Sequence, residues 1–450
     1  MTQPTRKQFI LSETGRSFEG AQKRTLGRFE LHSSPDLPVV EVTYDAEPAL
    51  LLGWPVHRAE RLDERTAGEM GGSWLLLTAT RVIPDPLGTF ASVFSADLEA
   101  VASTSAMFDD VELVERASLN AALDLPNSNN WYPFGLTPFQ NVTRLQSNHE
   151  LDLASWTVAR VERRRADLSP ADAIAVIADN IRETLRAVTA STPVMLGTTA
   201  GNETRMMLAG LRDGGDVWTF TFSGPSDTDV RAAAALARLT GFEHEVIGGR
   251  SDEVEAARWF EDTGRCVAGL AMKNAGKKKD LPADRAFVKG MGGEIARGYY
   301  YEPGDTATTT LTPDLIVDRL HLPAHPELSA AAAVWVDRLQ PRYAFELLDH
   351  LYADNRVACW QAPQSHADTA QHSFVFPLNK RSTVDAMHAL PVEIKRADRI
   401  GRLVVQRLWP ELLRVPINRP LGVLGIPRRV AVGLVRLARR ARARVRAARG

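Results

Sequence analysis

Residues 194 to 211 read VMLGTTAGNETRMMLAGL: an apolar run, a knot of small and polar residues, then a helical pattern. If the run is a strand and the pattern a helix, residues 199 to 204 lie where unpaired backbone N–H groups and the positive end of the helix dipole attract an anion. Ala200 and Gly201 are small enough to let backbone approach such a ligand, Asn202 opens the helix, and the hydroxyls of Thr199 and Thr204 can donate to phosphate oxygens. Glu203 is the odd member, because a carboxylate beside a phosphate is repulsive unless a divalent cation lies between them, which points to magnesium. An ordinary tight turn with Thr and Asn as helix caps fits the same residues, and both readings stay open here. The motif is neither a Walker A loop nor a GxGxxG fingerprint, since the Gly-Lys-Ser/Thr ending and the glycine triplet are missing.

The surrounding pattern supplies elements to position that turn. The runs PVMLGTT, VWTFTF and HEVIGG alternate with helix-like ETRMMLAGLRDG and DTDVRAAAALARLTG, the order expected of a parallel sheet wound by crossover helices. Ser169-Pro170 opens a well-signalled helix just before them. AFVKGMGGEIARGYYY (286 to 301) reads as a further strand, turn and helix, and 310 to 420 as helices with proline-marked breaks. Residues 1 to 150 are different: PVVEVTY, SWLLLTATRVI and GTFASVFSA are short β-branched or aromatic runs separated by Pro, Gly and Asp, which predicts antiparallel strands. The expected order is a β-rich domain over 1–150, a connecting strand and linker over 151–168, an α/β domain over 169–420 and a basic tail over 421–450.

Composition narrows the function classes. The chain has 450 residues, 44% hydrophobic and 24% charged, as a globular protein of two or three domains would. Lys plus Arg (54) balance Asp plus Glu (55), so no global field selects nucleic acid and no specific nucleic-acid partner is expected. Two cysteines, Cys266 and Cys359, make neither a disulfide framework nor a CxxC metal site. No stretch approaches the roughly 20 apolar residues of a spanning helix, and no apolar signal core stands near the start, so a cytoplasmic location is expected. Among the ten histidines no HxH pair occurs, which disfavours zinc. His244 reads as a packing or surface residue. KNAGKKKD (273 to 280) reads as a solvated basic loop, and WYPF and RGYYYE as buried aromatic clusters or the flank of an acceptor site.

The stretch L-x-x-T-A-G-N-E-T-R, from Leu196 to Arg205, resembles the pyrophosphate loop of the asparagine synthetase and β-lactam synthetase group of ATP pyrophosphatases, usually Ser-Gly-Gly-x-Asp-Ser. In that correspondence Thr199 and Thr204 stand for the two serines, Ala200 and Gly201 for the glycines, and Glu203 for the aspartate. Ala200 is the least conservative change, since a methyl group strains any positive φ. VWTFTF, ending at Phe222, is similar to the strand lining that family's adenine pocket. GMGGEIARGYYY resembles its Gly-x-Gly-Ala-Asp-Glu-Leu-Phe-Gly-Gly-Tyr segment, with Gly292 in the glycine-rich part, Gly293 in place of the magnesium-binding aspartate and Glu294 on the glutamate. Arg399 falls where the family keeps a catalytic lysine, followed by Arg402. The resemblance implies an α/β adenine nucleotide α-hydrolase-like domain binding ATP and Mg2+. Thr199, Gly201 and Thr204 would cradle pyrophosphate, Glu203 and Glu294 would hold the metal, and Arg399 would offset charge on the leaving groups. It implies an amide-forming ligase acting on small-molecule carboxylate and amine substrates; the alternative is an inactive descendant used for nucleotide sensing or as a scaffold.

TATRVIPDPLGTFASVFSADLEAVASTSAMF and FQNVTRLQSNHELDL resemble part of the family's N-terminal glutaminase domain, which needs a cysteine nucleophile at its start. Position 2 is Thr2, so no glutamine hydrolysis is expected. The stretch 428 to 450 carries nine arginines and no acid. Val430, Leu434, Leu437 and Ala441 follow helical spacing beside the basic face, which fits either a solvated helix or peripheral contact with an anionic membrane.

Overall fold

The computed structural model describes residues 7–161, 166–224, 227–248, 252–268, 271–272, 278, 281–367 and 373–418. Its first part is built from two largely antiparallel sheets. Phe9–Ser12, Gln22–Leu26, Phe29–Ser33, Val93–Ser95, Ala100–Ala102 and Thr143–Arg144 form one of six strands, and a seven-stranded sheet is centred on Glu47–Val56 and Gly71–Thr78. Period-two alternation sorts the side chains. Leu50, Leu52, Leu75 and Leu77 face Phe9, Leu11, Phe29 and Leu31 of the other sheet, while Leu51, Trp74 and Leu76 pack on the opposite face with Tyr44 and Met70. Both faces of the central strands are therefore dry.

The stretch after 148, expected as a connecting strand and linker, forms two strands, His149–Asp152 and Thr157–Arg160, that extend this sheet from Arg81–Pro84. The expected run 88 to 96 shrinks to Val93–Ser95, because the chain before it loops around the buried Asp85 carboxylate. That carboxylate accepts backbone N–H groups from Trp74, Leu87, Thr89 and Phe90.

Five parallel strands form the second part, in the spatial order third, second, first, fourth, fifth: Glu243–Ile247, Val217–Phe222, Val194–Gly197, Ala286–Val288 and Phe374–Val375. Chain direction across the sheet reverses between the first and fourth strands, the place where ligands bind in open α/β sheets. Pro170–Thr189 precedes the first strand, its N-terminus capped by the Ser169 hydroxyl, which accepts the Asp172 N–H. Asn202–Gly210 and Asp227–Thr240 are the crossover helices. One face of the sheet buries Val194, Leu196, Val217 and Val288 in the main core. The other carries Met195, Trp218, Phe220, Phe287 and Phe374, and Trp54 of the β part packs edge-on to Phe374 at 6.0 Å.

Helices dominate after residue 312, as the proline-punctuated sequence predicts. Pro326–Leu339 ends at Gln340, whose φ is +48°, just before Pro341. Pro363 breaks nothing: a π-helical run, Leu351–Gln361, leads straight into Ala362–His366. Wider π turns of this kind collect at functional positions, and this one brings Tyr352, Asp354 and Asn355 into the interior. No helix among the described residues is long and apolar enough to cross a membrane.

Candidate functional site

The turn after the central strand is tied down by its own hydroxyls. Thr198 N–H donates to the Phe220 carbonyl (2.7 Å), and the Thr221 hydroxyl donates to the Thr198 carbonyl (2.6 Å). Beyond that point the oxygens of Thr199 and Thr204 lie 3.0 Å apart. Thr204 Oγ1 accepts the Thr199 N–H, and Thr199 Oγ1 accepts the Gly201 N–H. Ala200 is buried and is not among the residues with positive φ, so the strain expected of its methyl group does not arise. Its N–H donates to the carboxylate of Asp229 (2.9 Å), a residue of the next crossover helix that sequence reasoning did not single out. Gly201 occupies the N-cap of Asn202–Gly210 and offers no side-chain acceptor. The first-turn amides of that helix are left without a side-chain cap, the arrangement that suits an oxyanion.

Three neighbouring segments close on this turn. A Cβ at Gly290 would meet the Glu203 carbonyl at 3.0 Å, and one at Gly401 would meet Asn202 Oδ1 at 2.5 Å, so only glycine allows either approach. Asn202 does not cap its own helix; its amide donates to Asp398 (3.0 Å). From the C-terminal side, the Asn418 N–H donates to the Ala200 carbonyl. The buried Arg205 guanidinium donates to the carbonyls of Leu412 and Val415, all at 2.8 Å. Desolvation lowers Arg205 to about 10.

The two glutamates expected to hold magnesium do converge, but on an arginine. Arg297 Nε lies 2.6 Å from Glu203 Oε1, and its Nη2 lies 3.8 Å from Glu294 Oε1. The closer contact is an ion pair without hydrogen-bond alignment. Burial and the charge of Glu203 push the Glu294 carboxyl up to about 7, against the pull of Arg297. The segment carrying Glu294 and Arg297 is a single 3-10 turn, Gly293–Arg297, rather than the expected helix. Gly292 and Gly298 flank it with φ of +104° and +55°, conformations that stop a helix from growing. A Cβ at Gly293 would sit 3.2 Å from Glu203 Cγ, so an aspartate there would press directly on Glu203.

These residues do not fit a protein-held magnesium ion. One intended ligand is already paired, another position is glycine, and among the described residues no three His, Cys, Asp or Glu side chains gather as a metal site.

The remaining predicted residues scatter. Leu196 is buried in the main core, whereas Phe222 is half-buried at the end of the second parallel strand, edge-on to Phe220 at 5.2 Å. Arg399 is exposed at the N-cap of Ile400–Leu408, and Arg402 is exposed one turn on. One turn before Arg399 stands a buried lysine that the spacing did not reveal: Lys395 Nζ contacts Asp349 Oδ2 at 2.5 Å, and Asp349 Oδ1 accepts the Tyr301 hydroxyl at 2.9 Å. The tyrosines of RGYYYE thus divide: Tyr300 is buried with its ring tilted against Tyr352, Tyr301 reaches Asp349, and Tyr299 is 42% exposed. Trp131 and Tyr132 of WYPF are buried. His244 is half-buried, its Nδ1 3.0 Å from the Thr219 hydroxyl. Thr2, the basic tail and all of KNAGKKKD except Lys278 lie outside the described residues.

No protein-family model matches this chain, and neither does any curated protein sequence. Solved structures to which it is similar include an NMN synthetase from Francisella tularensis, at 11% identity, covering 41% of this chain and 85% of that one with a TM-score of 0.21. A glutamine-dependent NAD+ synthetase from Acinetobacter baumannii, solved with ADP, matches at 15% identity over 47% of this chain and 48% of its own, with a TM-score of 0.22. An NAD+ synthetase from Burkholderia pseudomallei matches at 10% identity over 53% and 87%, again with a TM-score of 0.22. At such scores these likenesses have no functional weight, and the chemistry rests on the side chains.

Proposed function

We propose that this chain binds ATP at the turn 199–204 and uses it to activate a carboxylate for amide formation. The observation that carries the reading is the uncapped first turn of Asn202–Gly210 at the carboxyl end of the central parallel strand, with the Thr199 and Thr204 hydroxyls beside it. The resemblance of L-x-x-T-A-G-N-E-T-R to a pyrophosphate loop supports the same reading. By that resemblance a substrate carboxylate attacks the α-phosphate, pyrophosphate leaves, and an amine then displaces AMP. By the same resemblance Phe222 would pack against the adenine, and Glu294 and Arg399 would take the roles of the family's charged catalytic groups. The amine in this reading is a small molecule or free ammonia.

Pyrophosphate release decides the matter. The full chain, incubated with ATP, a panel of carboxylates and a panel of amines, should release pyrophosphate and AMP in equal amounts, and Thr204→Val should slow that release. A chain that binds ATP yet releases nothing with any pair is the nucleotide-sensing alternative. One that binds no ATP under any condition refutes the site.

A further inference from the structure

We propose that Arg297 is the resident cation of this site, so that the turn 199–204 takes its oxyanion, the ATP phosphates of the reading above, with a guanidinium as counter-charge and without a protein-held divalent metal. The inference rests on that reading for the identity of the anion. It rests on geometry for the cation.

Glu203 projects from the first turn of the helix that follows the anion turn, and Glu294 and Arg297 lie three residues apart on the single turn Gly293–Arg297. The guanidinium meets one carboxylate through Nε at 2.6 Å and the other through Nη2 at 3.8 Å, and it lies over the Tyr299 ring with its Cζ 5.2 Å from the centroid. It thus stands between the carboxylates a metal would need. A divalent ion there would have to expel the guanidinium from a contact whose partners are only 22% and 18% exposed, and would then share the site with a displaced positive charge.

The arginine also answers the difficulty Glu203 raises on its own. A carboxylate in the first turn repels a phosphate bound there, and an ion pair removes most of that repulsion without a metal. Guanidinium is always protonated and presents planar N–H donors suited to phosphate as well as carboxylate, so one side chain can hold Glu203 and lean towards a bound phosphate. Gly293 completes the arrangement. A side chain that would extend a metal site would crowd Glu203, its Cβ 3.2 Å from Glu203 Cγ, and glycine avoids that contact.

Two titrations test this. Electron paramagnetic resonance of Mn2+ added to the nucleotide-free full chain should show no stoichiometric bound ion at micromolar concentrations. Arg297→Met, which releases both carboxylates, should bind one Mn2+. Calorimetry should give ATP affinities in EDTA and in Mg2+ within about threefold for the natural chain. For Arg297→Met the affinity in EDTA should fall by roughly tenfold or more, with Mg2+ restoring most of it. Arg297→Lys keeps the charge without the planar fork and should still exclude Mn2+, with an ATP affinity in EDTA between those of the natural chain and Arg297→Met, which guards against a variant that merely misfolds. Stoichiometric Mn2+ binding to the natural chain, no gain of Mn2+ binding in Arg297→Met, or ATP binding that requires Mg2+ would each overturn the proposal. Failure of ATP to bind in any condition would instead refute the ligand, and the Mn2+ comparison would still decide the cation.

Discussion

Replacing Glu294 by glutamine should stabilise the fold at pH 8 and leave it unchanged at pH 4.5. The Glu294 carboxyl is raised from 4.5 to about 7 by burial and by the charge of Glu203, and its side chain is only 14% exposed. A carboxyl raised on folding holds its proton more tightly in the folded state than in the unfolded one. Its favourable contribution is therefore fully present below pH 4.5, is lost as the pH rises towards 7, and is gone above that. At about 1.4 kcal/mol per pH unit, this shift corresponds to about 3 kcal/mol of stability lost across the window. Glutamine keeps the shape and cannot ionise, so the variant should escape the loss. Urea unfolding followed by tryptophan fluorescence at pH 4.5, 6, 7 and 8, for both proteins, measures the gap directly. Comparing the two chains at each pH cancels the titrating groups that do not interact with Glu294, among them His350, which burial pushes down to about 4. A gap that does not change with pH, or a glutamine variant less stable at pH 8, would show that Arg297 and the Tyr352 hydroxyl together outweigh burial and Glu203 at this carboxyl.

Three further outcomes follow from contacts elsewhere. Lys395→Met strands the buried Asp349 carboxylate and should cost about 3–5 kcal/mol in chemical denaturation, most of it recovered by adding Asp349→Asn. Thr204→Val removes the oxygen that accepts the Thr199 N–H and pairs with the Thr199 hydroxyl; ATP affinity by calorimetry should drop on the order of tenfold, with little change in stability. Sedimentation with anionic vesicles at low salt should pellet the full chain but not one ending at Pro427, and equal behaviour of the two would remove the arginine-rich stretch from any membrane role.

Local signals in the sequence are enough to place the turn but not its electrostatics. Ser169-Pro170, the β-branched run that forms Val39–Tyr44 and the strand–helix order around residues 194 to 211 are written in neighbouring residues, and the structure carries each of them. Arg297 escapes such reading because its partner Glu203 is remote in sequence, and nothing local distinguishes an arginine that will sit between two carboxylates from one in solvent. Lys395 and Asp349 escape for the same reason: a buried ion pair is created by packing, and its residue types alone predict exposure. Pro363 misleads in the other direction. A proline normally ends a helix because it lacks an N–H and crowds the preceding turn, yet the π-helical run ahead of it shifts the hydrogen-bond pattern and carries the backbone through.

The hydrogen bond from Asn418 to Ala200 fixes a point of departure for the remainder of the chain. Arg428, the first of the nine arginines in 428 to 450, is ten residues further on, and ten extended residues span at most about 35 Å. Any polyanionic surface captured by that stretch is thereby leashed to the turn 199–204, wherever the intervening residues run. Anions concentrated along such a surface would be sampled by the turn at a local concentration set by the leash rather than by the bulk solution. Lengthening the connector with glycine and serine would dilute that local supply while leaving every contact of the turn intact, which separates proximity from chemistry in a single series of variants.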